Sequence, residues 1–526
     1  MAQEFNNNDL FVKSLSSGSI VVGGPLSANN VFVKNTNIFI GDSTTGNNNT
    51  TGTHNFVFGR RAGCSLTTGR YNNFFGKRTG SYNTTGYNNN FFGYQSGNQN
   101  TTGRYNNFFG KRTGSYNTTG SGNNAMGPDA GLCNTTGNYN NIIGSFAGFN
   151  NTTGNRNNFF GLFAGSYNNT GNSNNLFGEY AGSSNISSSN NNIIGTLAGS
   201  CALYGCGGSF NNFIGYKTGL FNSNNGSHNN FIGTCAGSDD SSGSSHNNFI
   251  GTWAGRFETS CGSFNNAIGY KAGSYRDGGS HNNFFGTRAG FCNHYSSGCS
   301  NFIGFEAGKY NKGAHNNFFG TQAGFCSDAS SSGSYNNFFG FKAGYCNQGC
   351  QNNFIGNVAG SSNSTGSFNN FIGNLAGLYN TTGSNNNFIG NYAGRSNTTG
   401  RYNNFLGIDA GYCNTTGSNN SFFGRRAGYA NSTGSNNSFF GCGAGCSNTT
   451  GTNNIIIGTQ ADTQTGNLSG VIVLGTCAAA TQNNQFVLGS STWQLSTVAD
   501  TTFTNQTSSV IIRLNGTNVR VPIIPF

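Results

Sequence analysis

A chain of 526 residues with 85 glycines, 7% charged residues and only 4 prolines has little of the Ala, Leu, Glu, Lys, Gln and Arg from which helices are built. Its 14% aromatic content argues against disorder, which is poor in aromatics, and the scarcity of proline with no glycine every third residue excludes collagen. The net charge of +11 is spread over the chain with no long basic run; Arg60-Arg61, Lys77-Arg78, Lys111-Arg112 and Arg425-Arg426 are its densest points, and no nucleic-acid partner is expected from them.

The first residues, MAQEFNNNDLFVK, lack the basic stretch and apolar core of a secretory signal. No run of 18 apolar residues exists, so no membrane insertion is expected. Synthesis in the cytosol is expected, export requiring a route that the sequence does not show. Residues 1–36 alternate polar and apolar side chains, as in Ser19-Ile20-Val21-Val22 and Asn30-Val31-Phe32-Val33, and predict short strands that serve as a cap or an attachment segment.

From residue 37 to Gly458 an internal repeat takes over. The glycine closing each NNFFG-like motif recurs from Gly41 through Gly59, Gly76 and Gly93 to Gly458, 417 residues in 24 intervals with a mean of 17.4. The unit reads N-N-[F/I]-[F/I]-G-x-x-A-G-x-x-N-T-T-G-x-x. That is too short for a helix pair, and it holds one strand and two glycine-bearing turns, as one coil of a parallel β-solenoid (β-roll) would. The expected fold class is therefore all-β, about 25 coils, each stacked on the last at about 4.8 Å to give a rod of roughly 115 Å. Glycine in the motif, in A-G and in T-T-G suits positive φ or close approach. The small residue before the second glycine, as at Ala62, Thr79, Ser96, Thr113 and Ala130, implies a tight inward corner. Length changes fall between A-G and the next N-N, as in Ser200 to Phe210 and Phe325 to Tyr335, which marks that side as the variable face.

Both members of the apolar pair are hydrophobic in almost every coil: Phe74-Phe75, Phe91-Phe92, Phe108-Phe109, Phe231-Ile232, Phe388-Ile389. Adjacent strand residues point to opposite faces, so one of each pair fills the lumen and the other forms an exposed apolar stripe larger than soluble monomers tolerate. A parallel homotrimer would cover it; the alternative is a coil flattened enough to bury both residues within one chain. Beyond Gly458 the beat decays through Gly475 and Gly489 over residues 459–489. Residues 490–526 end in SSVIIRL-NGT-NVRVPIIPF, a hairpin signal around Asn515-Gly516, read as a terminal cap or a receptor-binding tip.

Five histidines, His54, His228, His246, His281 and His315, share one position in the unit with Tyr71, Tyr105, Phe264 and other aromatics. The interchange predicts a stacked aromatic column rather than a metal or general-base site. Among the 15 cysteines, Cys326 and Cys346 fall in consecutive coils, while Cys201/Cys206, Cys292/Cys299, Cys346/Cys350 and Cys442/Cys446 are close pairs. These are candidate disulfides, with buried thiols as the alternative; the spacings do not suit zinc. The odd count leaves at least one thiol unpaired or linked between chains. Asn runs before the apolar pair predict stacked amide ladders. N-T-T triplets match a glycosylation sequon, and regular Thr columns suit an ice-ordering face in principle. No Ser/His/Asp set, carboxylate pair or phosphate loop stands out, so neither an enzyme nor a cofactor is expected.

With Asn-Thr-Thr-Gly and Asn-Asn-Phe-Ile-Gly recurring over most of the chain, the sequence resembles fibre-like proteins of phages and large DNA viruses. It is more distantly similar to the head repeats of trimeric autotransporter adhesins, whose signal peptide, heptad stalk and membrane barrel it lacks. The resemblance implies a structural fibre on a virion surface or tail, attaching to a host surface and its glycans, with itself as the main partner. The alternative is a self-assembling extracellular filament or a bacterial cell-surface adhesin.

Overall fold

The computed structural model describes residues 36–200, 208–221, 226–239, 243–257, 262–275, 279–292, 298–325 and 333–490, and the backbone of the strands at 19–21, 30–34, 509–514 and 517–522. Two compact units divide the chain, Met1–Asn352 and Asn353–Phe526. The described residues are all-β, with no helix, and both units are built as the same parallel β-solenoid, about 25 turns in all.

In the first unit, β1 (Ser19–Val21), β2 (Asn30–Lys34) and β3 (Asn37–Gly41) form an antiparallel meander. β3 then changes partner type and pairs in parallel with Phe56–Phe58. From there each coil contributes a strand of three residues, in register with its neighbour, so that Phe74 faces Phe91 and Phe91 faces Phe108. The second unit repeats this from Asn353–Ile355 to Ile455–Ile457 and continues through Ile472–Leu474 and Phe486–Leu488. Ser509–Leu514 and Thr517–Pro522 pair antiparallel, Leu514 opposite Thr517; Asn515 and Gly516 lie outside the described residues.

Strands this short cannot hold together alone, and packing in the lumen stabilises the stack. Phe74, Phe91, Phe108, Phe231 and Phe388 are buried and stack face to face, with centroids 5.0 Å apart for Phe74–Phe91 and 4.8 Å for Phe371–Phe388. Opposite them runs a buried column of Ala, Ser and Thr. Where Thr replaces Ala, its hydroxyl donates across coils, as from Thr79 Oγ1 to the Gly93 carbonyl at 2.7 Å.

Two buried amide ladders complete the interior. Asn72 Nδ2 donates to Asn55 Oδ1 and to the Gly86 carbonyl, at 3.0 and 2.9 Å. Asn100 Nδ2 donates to Asn83 Oδ1 at 2.6 Å and to the Gly103 carbonyl at 3.0 Å, and Asn117 Nδ2 donates to Asn100 Oδ1. Buried polar groups satisfied in this way cost little, whereas an orphaned one is expensive.

The glycines serve two purposes. The motif glycine sits at positive φ, +132° at Gly93, where a Cβ would also lie 2.3 Å from the Gly110 carbonyl oxygen. The T-T-G glycine does not need positive φ; at Gly103 a Cβ would meet Asn100 Oδ1 at 2.3 Å and the Gly120 carbonyl at 2.4 Å. Each regular coil also places two non-glycine residues in the left-handed region, such as Tyr71 at φ 55° and Arg78 at φ 59°. Their N–H groups donate to the preceding coil, Tyr71 to Thr53 and Arg78 to Arg60, and that bonding offsets a strain of about 1–2 kcal/mol per residue.

Candidate interaction surface

The outer face of the sheet follows from the three-residue strand. Phe74 points inward, so Asn73 and Phe75 point outward. Along the coils the outward amides form a third ladder, Asn73 Nδ2 to Asn90 Oδ1 and Asn90 Nδ2 to Asn107 Oδ1, each 2.7 Å. Beside it, Phe75, Phe92 and Phe109 stack with centroids 4.6 and 4.9 Å apart. The apolar pairs therefore divide. Phe74, Phe91, Phe108, Phe231 and Phe388 line the lumen, while Phe75, Phe92, Phe109, Ile232 and Ile389 stand on the outside. Stacking covers ring faces but not edges, and Phe109 remains 37% and Met126 49% exposed.

At the corner before the strand lies the aromatic column. Phe210, His228, His246, Phe264 and His281 stack in succession at 4.7–5.0 Å, each pair within 12° of parallel. Tyr71 stacks on His54 at 4.8 Å. Tyr105 instead meets Tyr87 edge-on at 5.4 Å, because the flanking coils put Asn88 and Gly122 at the equivalent position. Farther along, Tyr139 overlooks an open groove of about 350 Å³ with Asn138, Asn155, Arg156, Asn172 and Ser173. Its amides are largely engaged with one another and the backbone, Asn155 Nδ2 donating to Thr153 and Asn172. Among the described residues no three His, Cys, Asp or Glu side chains come together as a metal site would need.

The cysteine pairs expected as bridges are a correction. Cys292 and Cys299, Cys346 and Cys350, and Cys442 and Cys446 carry thiols, and no disulfide joins them. Residues four to seven apart in one coil belong to different columns. Cys299 occupies the aromatic-column position while Cys292 lies in the turn on the other side of the coil, and Cys446 Sγ is directed along the stack, donating to Asp462 Oδ2 at 3.2 Å. Burial pushes the thiols of Cys133, Cys292, Cys413 and Cys446 up, and the Asp462 carboxylate raises Cys446 further. Cys201, Cys206 and Cys326 lie outside the described residues, as does most of each inserted loop at 200–210 and 325–335.

The corner after the strand is where charge collects. Arg112 grips Asp129 with two bonds of 2.6 Å, which raises the pKa of the guanidinium. Glu306, with 8% of its side chain exposed, accepts from Arg288 at 3.2 Å, Lys309 at 3.0 Å and Gln322 at 3.1 Å. Burial pushes its carboxyl up, but the bonds from Gln322, Lys309 and Arg288 outweigh it and hold the group below the ordinary glutamate range. Lys309 and Lys271 also lie over aromatic rings, Lys271 Nζ 4.5 Å from the Trp253 ring centre.

The repeat pattern locates the apolar and aromatic columns but misses the left-handed corners, whose side chains vary freely. Their only sequence signal is position, two residues after the motif glycine and five before it. The described surface presents ordered ladders and ring edges, an arrangement suited to packing against another ordered surface. Comparison of the chain with family models, with curated proteins and with solved structures gave no match, so the resemblance of its repeat rests on the repeat residues themselves.

Proposed function

We propose that this protein is a structural fibre shaft that assembles with two parallel copies of itself through the outer face of its sheet. The observation that carries this reading is the outward apolar column, which is Phe, Ile, Leu or Met in every described coil from Phe58 onward although the lumen is already filled by the other member of each pair. A free solvated face has no reason to stay apolar over so many coils, whereas a shared core between copies does. In the last coils even the outward amide ladder is replaced, by Ile455, Ile472 and Phe486, which widens the apolar face there and favours that end as the place where copies first register. Attachment of a virion, or of a cell, to a host surface is the role that the resemblance of the repeat supports for such a shaft.

Sedimentation of the purified chain tests this. A discrete species of three times 55.1 kDa is expected, and Phe92→Lys with Phe109→Lys is expected to return it to the mass of one chain while the stacked lumen remains. A wild-type monomer would overturn the reading, and open-ended polymers would replace it with the filament.

A further inference from the structure

The stacking of coils gathers charge that the linear sequence disperses. Residues 43–128 contain eight Lys and Arg and no Asp or Glu. Outside that stretch the remaining 17 basic and 14 acidic residues nearly cancel, so most of the net +11 resides in these few coils. Backbone bonds show how the dipeptides meet: Arg78 N–H donates to the Arg60 carbonyl, Gln95 to Lys77, and Arg112 to Tyr94. Arg60-Arg61, Lys77-Arg78 and Lys111-Arg112 thus occupy one corner of nearby coils, a strip about 14 Å long at the strand spacing.

The strip is bounded by acids. Asp42 takes Arg60 at 3.5 Å at one end, and Asp129 takes Arg112 at the other. Between them no carboxylate exists to pair Arg61, Lys77, Arg78 or Lys111, of which Arg61, Lys77 and Lys111 are exposed. Like charges held this close repel one another, and an anionic chain lying along the corner would relieve that repulsion. Binders of single-stranded nucleic acid add free ring faces on which bases stack. Here the one aromatic in the strip, Tyr94, has Lys77 over its ring, so no such platform is offered. Arginine forks match sulfate and carboxylate oxygens directly.

We propose that the corner formed by Arg61, Lys77, Arg78 and Lys111 binds a linear sulfated or carboxylated polysaccharide. The proposal deepens the attachment half of the function above and rests on it for the source of the polymer; it does not depend on how many copies assemble.

The test uses the full chain and a heparin-derived dodecasaccharide, with binding measured by calorimetry across a salt series on the sample whose mass is determined by sedimentation. Affinity should fall steeply with salt, and Lys77→Gln with Arg78→Gln should lower it about tenfold or more. Arg425→Gln with Arg426→Gln should leave it unchanged, since that pair sits at the same corner of a single coil with Asp409 in the coil before. Equal losses from both variants, no binding at low salt, or tighter binding of an oligonucleotide or of anionic vesicles would each overturn the proposal. An altered mass with intact binding would count against self-association alone.

Discussion

Gly93 and Asn100 show how little freedom a single residue has in this lattice. Gly93 combines a positive φ with a carbonyl oxygen 2.3 Å from where a Cβ would lie, so Gly93→Ala should lower stability by about 1–3 kcal/mol, read as earlier thermal loss of β signal. Asn100→Leu removes a donor to Asn83 and Gly103 and an acceptor for Asn117. With each orphaned buried group costing about 1–3 kcal/mol, it should be the more damaging of the two in the same melt. Glu306 supplies a pH dependence. Its folded pKa lies below the ordinary glutamate value of 4.5, so its stabilisation is fully present above that value and is lost as the pH falls through the lowered folded one. Hydrogen exchange around residues 304–322 should accelerate on acidification in that window, and Glu306→Gln should flatten the response; an identical acid profile in the variant would show that other carboxylates control it.

At the scale of the coil, strands of three residues and their turns act as one element. The alternation of inward and outward side chains was legible from the sequence because a strand has a period of two and the glycine beat fixes where each begins. Asn runs likewise predicted ladders, since identical side chains superposed in register have only one another to bond. Two features were not legible. The T-T-G glycine is required by the approach of Asn100 and Gly120 rather than by its φ, and the left-handed corners hold Tyr, His, Arg, Lys, Phe or Asn with no compositional mark. Disulfide expectations failed at this scale too, because closeness in sequence within a coil is not closeness of columns: Cys446 meets Asp462 of the next coil and not Cys442.

For the whole molecule, the +11 charge and the apolar pairs look uniform along the sequence, and stacking makes neither of them so. One member of each pair disappears into the lumen while the other becomes a surface, and three separated basic dipeptides become one strip. The sedimentation and polysaccharide experiments address these two surfaces separately. What the sequence determined by itself was the coil: its period, its strand, its glycines and its ladders, all of them local or repeated, so that pattern alone specifies them. Which columns face water, which charges become neighbours and which thiols point along the stack were decided only by tertiary structure, because each depends on residues 16–20 positions apart being placed one strand spacing from each other.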